Sequence, residues 1–180
     1  DKFDNRFIGV IEDTENGHQK YLSVKNLKAP VVSVARSPLK NNEDYLAGQS
    51  VMFSADAILR EQGIILNDKK VGVIGFGKIG DGVLSSLRDK GCRISVYDKN
   101  PVIIVLALSK GYNISIKLTI IEESDIIFCA TGNLALKGDE FKYIKEPDDS
   151  QEWSLFIGTE NKNHKDGFIY NLRKGQNYID

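Results

Sequence analysis

The feature that most constrains this chain is the stretch Val71-Gly72-Val73-Ile74-Gly75-Phe76-Gly77-Lys78-Ile79-Gly80, followed about twenty residues later by Val96-Tyr97-Asp98. An apolar run opens into Gly75-x-Gly77-x-x-Gly80, a helical pattern follows, and a second apolar run ends in an acid. The three glycines serve in turn a tight turn, close approach of backbone to a pyrophosphate, and close helix–strand packing. A helix starting near Gly77 aims its free N–H groups and positive dipole end at the phosphates. Asp98 stands where a carboxylate accepts the ribose hydroxyls of an adenosine half. A glycine triplet alone also satisfies a plain turn. The ordered set of strand, glycines, helix, strand and acid favours a dinucleotide.

The surrounding pattern alternates strand and helix. Strands are expected near 71–75, 93–98, 113–116, 125–129, 154–158 and 168–171, with helices near 78–90, 101–110 and 138–144. Lys90-Gly91 and Lys110-Gly111 read as helix C-termini. Such alternation predicts an α/β fold, a Rossmann-type doubly wound parallel sheet covered on both faces. Upstream, Phe7–Ile11 and Val31–Ala35 read as short strands about a polar turn at Asn16-Gly17, a βαβ-like extension from a second lobe. Pro38 and Asn41-Asn42-Glu43-Asp44 interrupt the pattern, and a helix is expected from Gly48 to about Gly63. The division is therefore drawn between 1–47 and 48–180, the second part being the dinucleotide-binding domain. Glu146–Glu152 and Glu160–Gly167 read as surface loops.

Ligands of such sheets bind at the carboxyl ends of the strands, at the topological switch point. That rule gathers Gly75, Gly77, Lys78, Ile79, Gly80, Asp98, Thr131, Gly132, Asn133, Ile157 and Gly158 as the cofactor-binding set. Asp98 favours the free 2′-hydroxyl of NAD and repels a 2′-phosphate, a preference softened by the adjacent Lys99. NAD is the expected cofactor.

Composition excludes several classes. Among 180 residues the formal net charge is −1, which leaves no basic field for nucleic acid or an anionic membrane. The apolar stretch 101–108 is too short to span a bilayer. The start Asp1-Lys2-Phe3-Asp4-Asn5 shows no secretory signal, and the absence of an initial Met reads either as an excerpt of a longer sequence or as an added end. Cys92 and Cys129 fall in or beside strand-like runs and read as core residues of a reduced, cytoplasmic protein. With only two histidines, His18 and His164, far apart in sequence, no metal site is expected.

The motifs resemble those of the S-adenosyl-L-homocysteine hydrolases. That family's loop G-x-G-x-x-G-x-G is similar to Gly75-Phe76-Gly77-Lys78-Ile79-Gly80-Asp81-Gly82 in all four glycines. Asp98-Lys99-Asn100-Pro101, Gly111-Tyr112 and Ala130-Thr131-Gly132 resemble further family segments, as do Gly9-Val10-Ile11-Glu12-Asp13-Thr14 and Val34 through Tyr45. The resemblance implies an enzyme in which tightly held NAD transiently oxidises the 3′-hydroxyl of a nucleoside thioether, homocysteine is eliminated, and water adds. It further implies residues 1–47 as the remnant of a substrate-binding lobe and catalytic segment, Lys40 and Asp44 as catalytic residues, Asp13 and Thr14 as substrate-binding residues, a small nucleoside substrate and a homo-oligomer. A lysine whose pKa is depressed by burial would serve as base near neutral pH. Read without the family, Lys40 and Asp44 are a solvated i,i+4 pair worth a few tenths of a kcal/mol, as exposed Lys–Asp pairs commonly are.

The chain departs from the family where Asp13 replaces a Glu, Tyr45 an Asn and Thr159 a His. Two other functions fit the cofactor loop: an NAD-holding regulatory module without catalysis, and a 2-hydroxyacid-type NAD-dependent dehydrogenase. The last expects an Arg and a Glu–His pair about the nicotinamide, and neither histidine stands in a suitable place.

Overall fold

The computed structural model describes residues 7–132 and 134–144, and the backbone of 153–158 and 169–173. The chain divides into two compact units, residues 1–44 and 45–180, with the division inside one helix.

In the first unit β1 (Val10–Glu12) and β2 (Val31–Ser33) pair in parallel, Val10 opposite Val31, through the intervening helix α1 (Glu15–Leu22). The sequence pattern predicts a turn at Asn16-Gly17, but both residues lie inside α1. The local reason is Thr14, which caps the helix by accepting the Gly17 N–H at 3.0 Å, with Glu15 in the first turn and Lys20 in the last. The unit buries little: among its described residues Ala35 alone is buried, while Ile11 and Val32 lie exposed on the strands.

A 3₁₀ turn, Pro38–Lys40, capped by Ser37, leads into α2 (Asn41–Glu61). The polar run Asn41–Asp44, expected to interrupt the pattern, is the first turn of this helix. Ser-Pro at the entry and acids at 43 and 44 suit a helix start.

The second unit is built on a five-stranded sheet in the order β4-β3-β5-β6-β7. These strands are β3 (Lys70–Ile74), β4 (Arg93–Tyr97), β5 (Ile126–Cys129), β6 (Trp153–Gly158) and β7 (Ile169–Arg173). Four are mutually parallel, but β7 pairs antiparallel with β6, so the expected all-parallel sheet needs correction at this edge. The strand expected over 113–116 is also absent. A single parallel bridge joins Val96 to Ile114, and Lys117 already opens helix α5 (Lys117–Glu123). That bridge sits where a third strand would flank β4. Counting it, the order of strands from β3 onward becomes 3-2-1-4-5-6, the dinucleotide-binding order.

Strand alternation splits the core between the two faces. Val71, Val73, Val96, Ile126 and Phe128 pack with Met52, Ala55 and Leu59 of α2, with Val83, Leu84 and Leu87 of α3 (Lys78–Leu87), and with Ala107 of α4 (Pro101–Ser109). Ile74 and Ile127 point the other way, onto Ile120 and Ile121 of α5 and Leu136. Helices thus cover both faces, as a doubly wound sheet requires. Residues 138–143, expected as an α-helix, form a 3₁₀ helix. The loops expected at 146–152 and 160–167 lie outside the described residues.

Candidate functional site: a dinucleotide cradle

The chain leaves β3 for β4 on one side and later returns to β5 on the other, so the switch point lies between the carboxyl ends of β3 and β5. Gly75 and Ala130-Thr131-Gly132 meet there. Gly75 adopts φ +103°, and a Cβ on it would stand 2.4 Å from the Ala130 carbonyl oxygen. No side chain fits that position, in conformation or in space. A Cβ on Gly80 would stand 2.1 Å from the Gly75 carbonyl oxygen, so the third glycine lets α3 sit on the turn. Gly77 differs. It is the N-cap of α3, offers no side-chain cap, and a Cβ there would meet nothing within 4 Å. Open backbone at a helix start can take a pyrophosphate, and the loop suits a dinucleotide.

Asp98 follows β4 and is tied to the loop. Its Oδ2 accepts the Phe76 N–H at 2.8 Å and its Oδ1 accepts the Asn100 N–H at 2.8 Å. Asn100 in turn caps α4 by accepting the Val102 N–H. A carboxylate has about four lone-pair sites, so two such bonds leave acceptor capacity for ribose hydroxyls. The tie to Phe76 is not legible in the sequence, because it joins residues 22 apart through backbone. Lys78 and Ile79 form the first turn of α3 beside this opening. Gly132 turns at φ +68° beyond β5. Ile157 and Gly158 end β6, opposite Phe128 and Cys129. Asn133 and Thr159 lie outside the described residues. Burial pushes the Cys129 thiol up to about 12 and raises that of Cys92, so neither is an activated nucleophile.

In the first unit, Lys40 is brought together with Asp13, whose Oδ2 lies 3.5 Å from its Nζ, and with Asp44, whose Oδ1 lies 3.7 Å away. Glu43, absent from the candidate site residues read in the sequence, is its hydrogen-bonded partner. The i,i+3 spacing of Lys40 and Glu43 on a helix start is the signal for it. This bond to Glu43 holds the Lys40 ammonium above the usual lysine range; partial desolvation opposes it, and the charges of Glu43, Asp44 and Asp13 reinforce it. The expectation of a lysine depressed by burial is therefore wrong. Three carboxylates outweigh the desolvation of a side chain that is 11% exposed. Thr14 is engaged locally: its hydroxyl donates to Glu12 Oε1 at 2.7 Å while capping α1.

The switch point, the glycine cradle and the acid after the second strand define a Rossmann-type dinucleotide-binding protein whose cofactor is NAD. The family described as S-adenosyl-L-homocysteine hydrolase, NAD binding domain, matches residues 45–148, and the chain belongs to that family. The matched span holds the glycine cradle, Asp98 and Thr131-Gly132, and excludes Asp13, Thr14, Lys40 and Asp44. Among solved structures, a dipicolinate synthase chain from Bacillus halodurans is similar with a TM-score of 0.59 and 10% identity, covering 84% of this chain and 51% of that one. L-tryptophan dehydrogenase from Nostoc punctiforme is similar with a TM-score of 0.54 and 18% identity, covering 68% of this chain and 36% of that one. These likenesses establish the fold. The chain spans only about a third to a half of the length of the two structures. Among the described residues no helix is long and apolar enough to cross a membrane.

Proposed function

We propose that this chain is the NAD-binding portion of an enzyme that reversibly hydrolyses S-adenosylhomocysteine, or a related nucleoside thioether, through transient 3′-oxidation. The observation that carries the reading is the glycine cradle with Asp98 bonded to it, inside a span matched by that hydrolase family. When bound, NAD supplies a hydride acceptor for the 3′-carbon of the substrate ribose.

In this reading Asp98 and the N-terminal turn of α3 fix the adenosine half and the pyrophosphate of the cofactor. Thr131 and Gly132 flank the turn beyond β5, where a small residue lets a flat ring approach the backbone. Lys40 stays charged at neutral pH, since its pKa lies above the ordinary value. It therefore acts as a donor to the substrate 3′-oxygen rather than as a free amine base. Asp44, the least exposed of its three carboxylate neighbours, takes the hydroxyl proton, and Asp13 steadies the ammonium. Thr14 contributes only its local helix start until substrate draws its hydroxyl from Glu12.

Self-association belongs to the same proposal. Helix α4 carries no charge from Pro101 to Ser109 and leaves Val102, Val105, Leu106 and Leu108 exposed. An apolar face of that kind suits contact with a second copy of the protein.

The test uses the protein at its natural full length. Incubated with S-adenosylhomocysteine and NAD, it should release the homocysteine thiol, read with a thiol reagent, and Lys40→Met should abolish release while NAD remains bound. Stoichiometric NAD binding with neither thiol release nor nicotinamide reduction would favour the second reading, an NAD-holding module without catalysis. Tyr45 in place of the family Asn favours that reading.

A further inference from the structure

Helix α3 carries an acid in the turn that should welcome anions: Asp81 lies in its first turn, four residues after the Gly77 cap. An unscreened carboxylate there competes with a pyrophosphate for the same positive helix end. Asp81 is not unscreened. Lys110, from the end of α4, places its Nζ 2.6 Å from Asp81 Oδ2. The same Nζ lies 5.5 Å from the centre of the Phe76 ring, and Phe76 is the buried residue whose N–H is bonded to Asp98. The lysine is held in turn. Its carbonyl accepts from Arg88 at 2.9 Å, and the Arg88 guanidinium stacks 5.0 Å over Tyr112, which meets Phe76 edge-on at 5.6 Å.

We propose that Lys110 is a positioning residue for the NAD pyrophosphate, cancelling the Asp81 charge at the α3 N-terminus and clamping Phe76 beneath the glycine loop. This rests on the pyrophosphate reading of that loop. Lys110 needs no contact with the cofactor: it removes a repulsion and fixes the residue that links the loop to Asp98. The site would then take anionic dinucleotides and nucleoside diphosphates in preference to uncharged nucleosides.

A charge cycle measured by calorimetry at low and high salt tests this. Lys110→Met keeps the alkyl stem and removes the charge. It should weaken NAD and ADP about fivefold at low salt, the order expected when one charge is exposed within a Debye length of a pyrophosphate. The loss should shrink at high salt and be absent for adenosine. Asp81→Asn should bind NAD at least as tightly as the parent, Asp81→Asn/Lys110→Met should return to within about twofold of it, and Lys110→Arg should retain affinity. Equal losses for ADP and adenosine, or no repair by Asp81→Asn, would make Lys110 merely structural and overturn the proposal. If Lys110→Met does not fold, Asp81→Asn alone decides: weaker NAD binding by that variant refutes it. Failure of the unaltered chain to bind NAD would overturn the pyrophosphate reading, and the proposal with it. NAD binding with an indifferent Lys110→Met would overturn the proposal alone.

Discussion

Replacing Asp98 with Ala probes the cofactor assignment most sharply, because the carboxylate does two things at once. It accepts the Phe76 and Asn100 N–H groups, each at 2.8 Å, and it keeps further acceptor capacity, which the proposed function assigns to the ribose. Hydrogen bonds to a charged acceptor contribute about 1.5–3 kcal/mol when shielded from solvent. Asp98 is only partly buried, so about 1 kcal/mol for each of two ribose hydroxyls is the fitting figure. The sum, about 2 kcal/mol, corresponds to an NAD affinity about 30-fold weaker. The lost Phe76 and Asn100 bonds fall on stability instead, at about 1 kcal/mol each. Titration calorimetry and thermal unfolding of the same samples separate the two effects. Asp98→Asn, which keeps the shape and one acceptor oxygen, should lose less NAD affinity and narrow the gap to NADP. An Asp98→Ala chain that binds NAD within twofold of the parent would refute the ribose assignment.

Other perturbations test the scaffold. Gly75→Ala forces a side chain into φ +103° and against the Ala130 carbonyl, so it should abolish NAD binding and destabilise by more than about 1 kcal/mol in denaturant unfolding. Lys90→Met should cost about 1 kcal/mol in the same assay, because buried Asp56, whose Oδ1 has no partner, then keeps the 3.2 Å bond from Arg60 and loses the 2.9 Å bond from Lys90. The Glu15 carboxyl is lowered to about 2 by the Arg36 hydrogen bonds. Since the folded pKa is the lower one, this pair stabilises above about pH 4.5 and the contribution fades as pH falls toward 2. Both side chains are well exposed, so the amplitude should be small, and Arg36→Met should remove it from an acid-unfolding curve.

The cofactor half of the protein is legible in the sequence because its constraints are local. Gly75, Gly77 and Gly80 stand within six residues of one another, and the apolar strands around them read directly as buried parallel strands. The segment 113–116 misleads because Asn113-Ile114-Ser115-Ile116 alternates like a strand. Whether alternation becomes a strand depends on pairing, and here the helix starting at Lys117 leaves one bridge. Helix α1 is hidden by Gly17, an unfavourable residue inside a helix that the Thr14 cap offsets. The antiparallel β7 has no signature within its own residues, since direction is set by the partner. At Lys40 the i,i+4 spacing to Asp44 is legible, while the ion pair with Asp13 and the sign of the pKa shift are not. The sign turns on Glu43 and on how much solvent remains, which spacing alone does not report.

Whether the loop from Gly75 to Gly80, with Asp98, holds NAD is tested most directly by calorimetric titration of the unaltered chain with NAD and, separately, NADP. Saturable binding of one NAD per chain, with NADP at least about tenfold weaker because its 2′-phosphate meets the Asp98 carboxylate, is the predicted result. Binding of neither, or NADP bound more tightly than NAD, would contradict it.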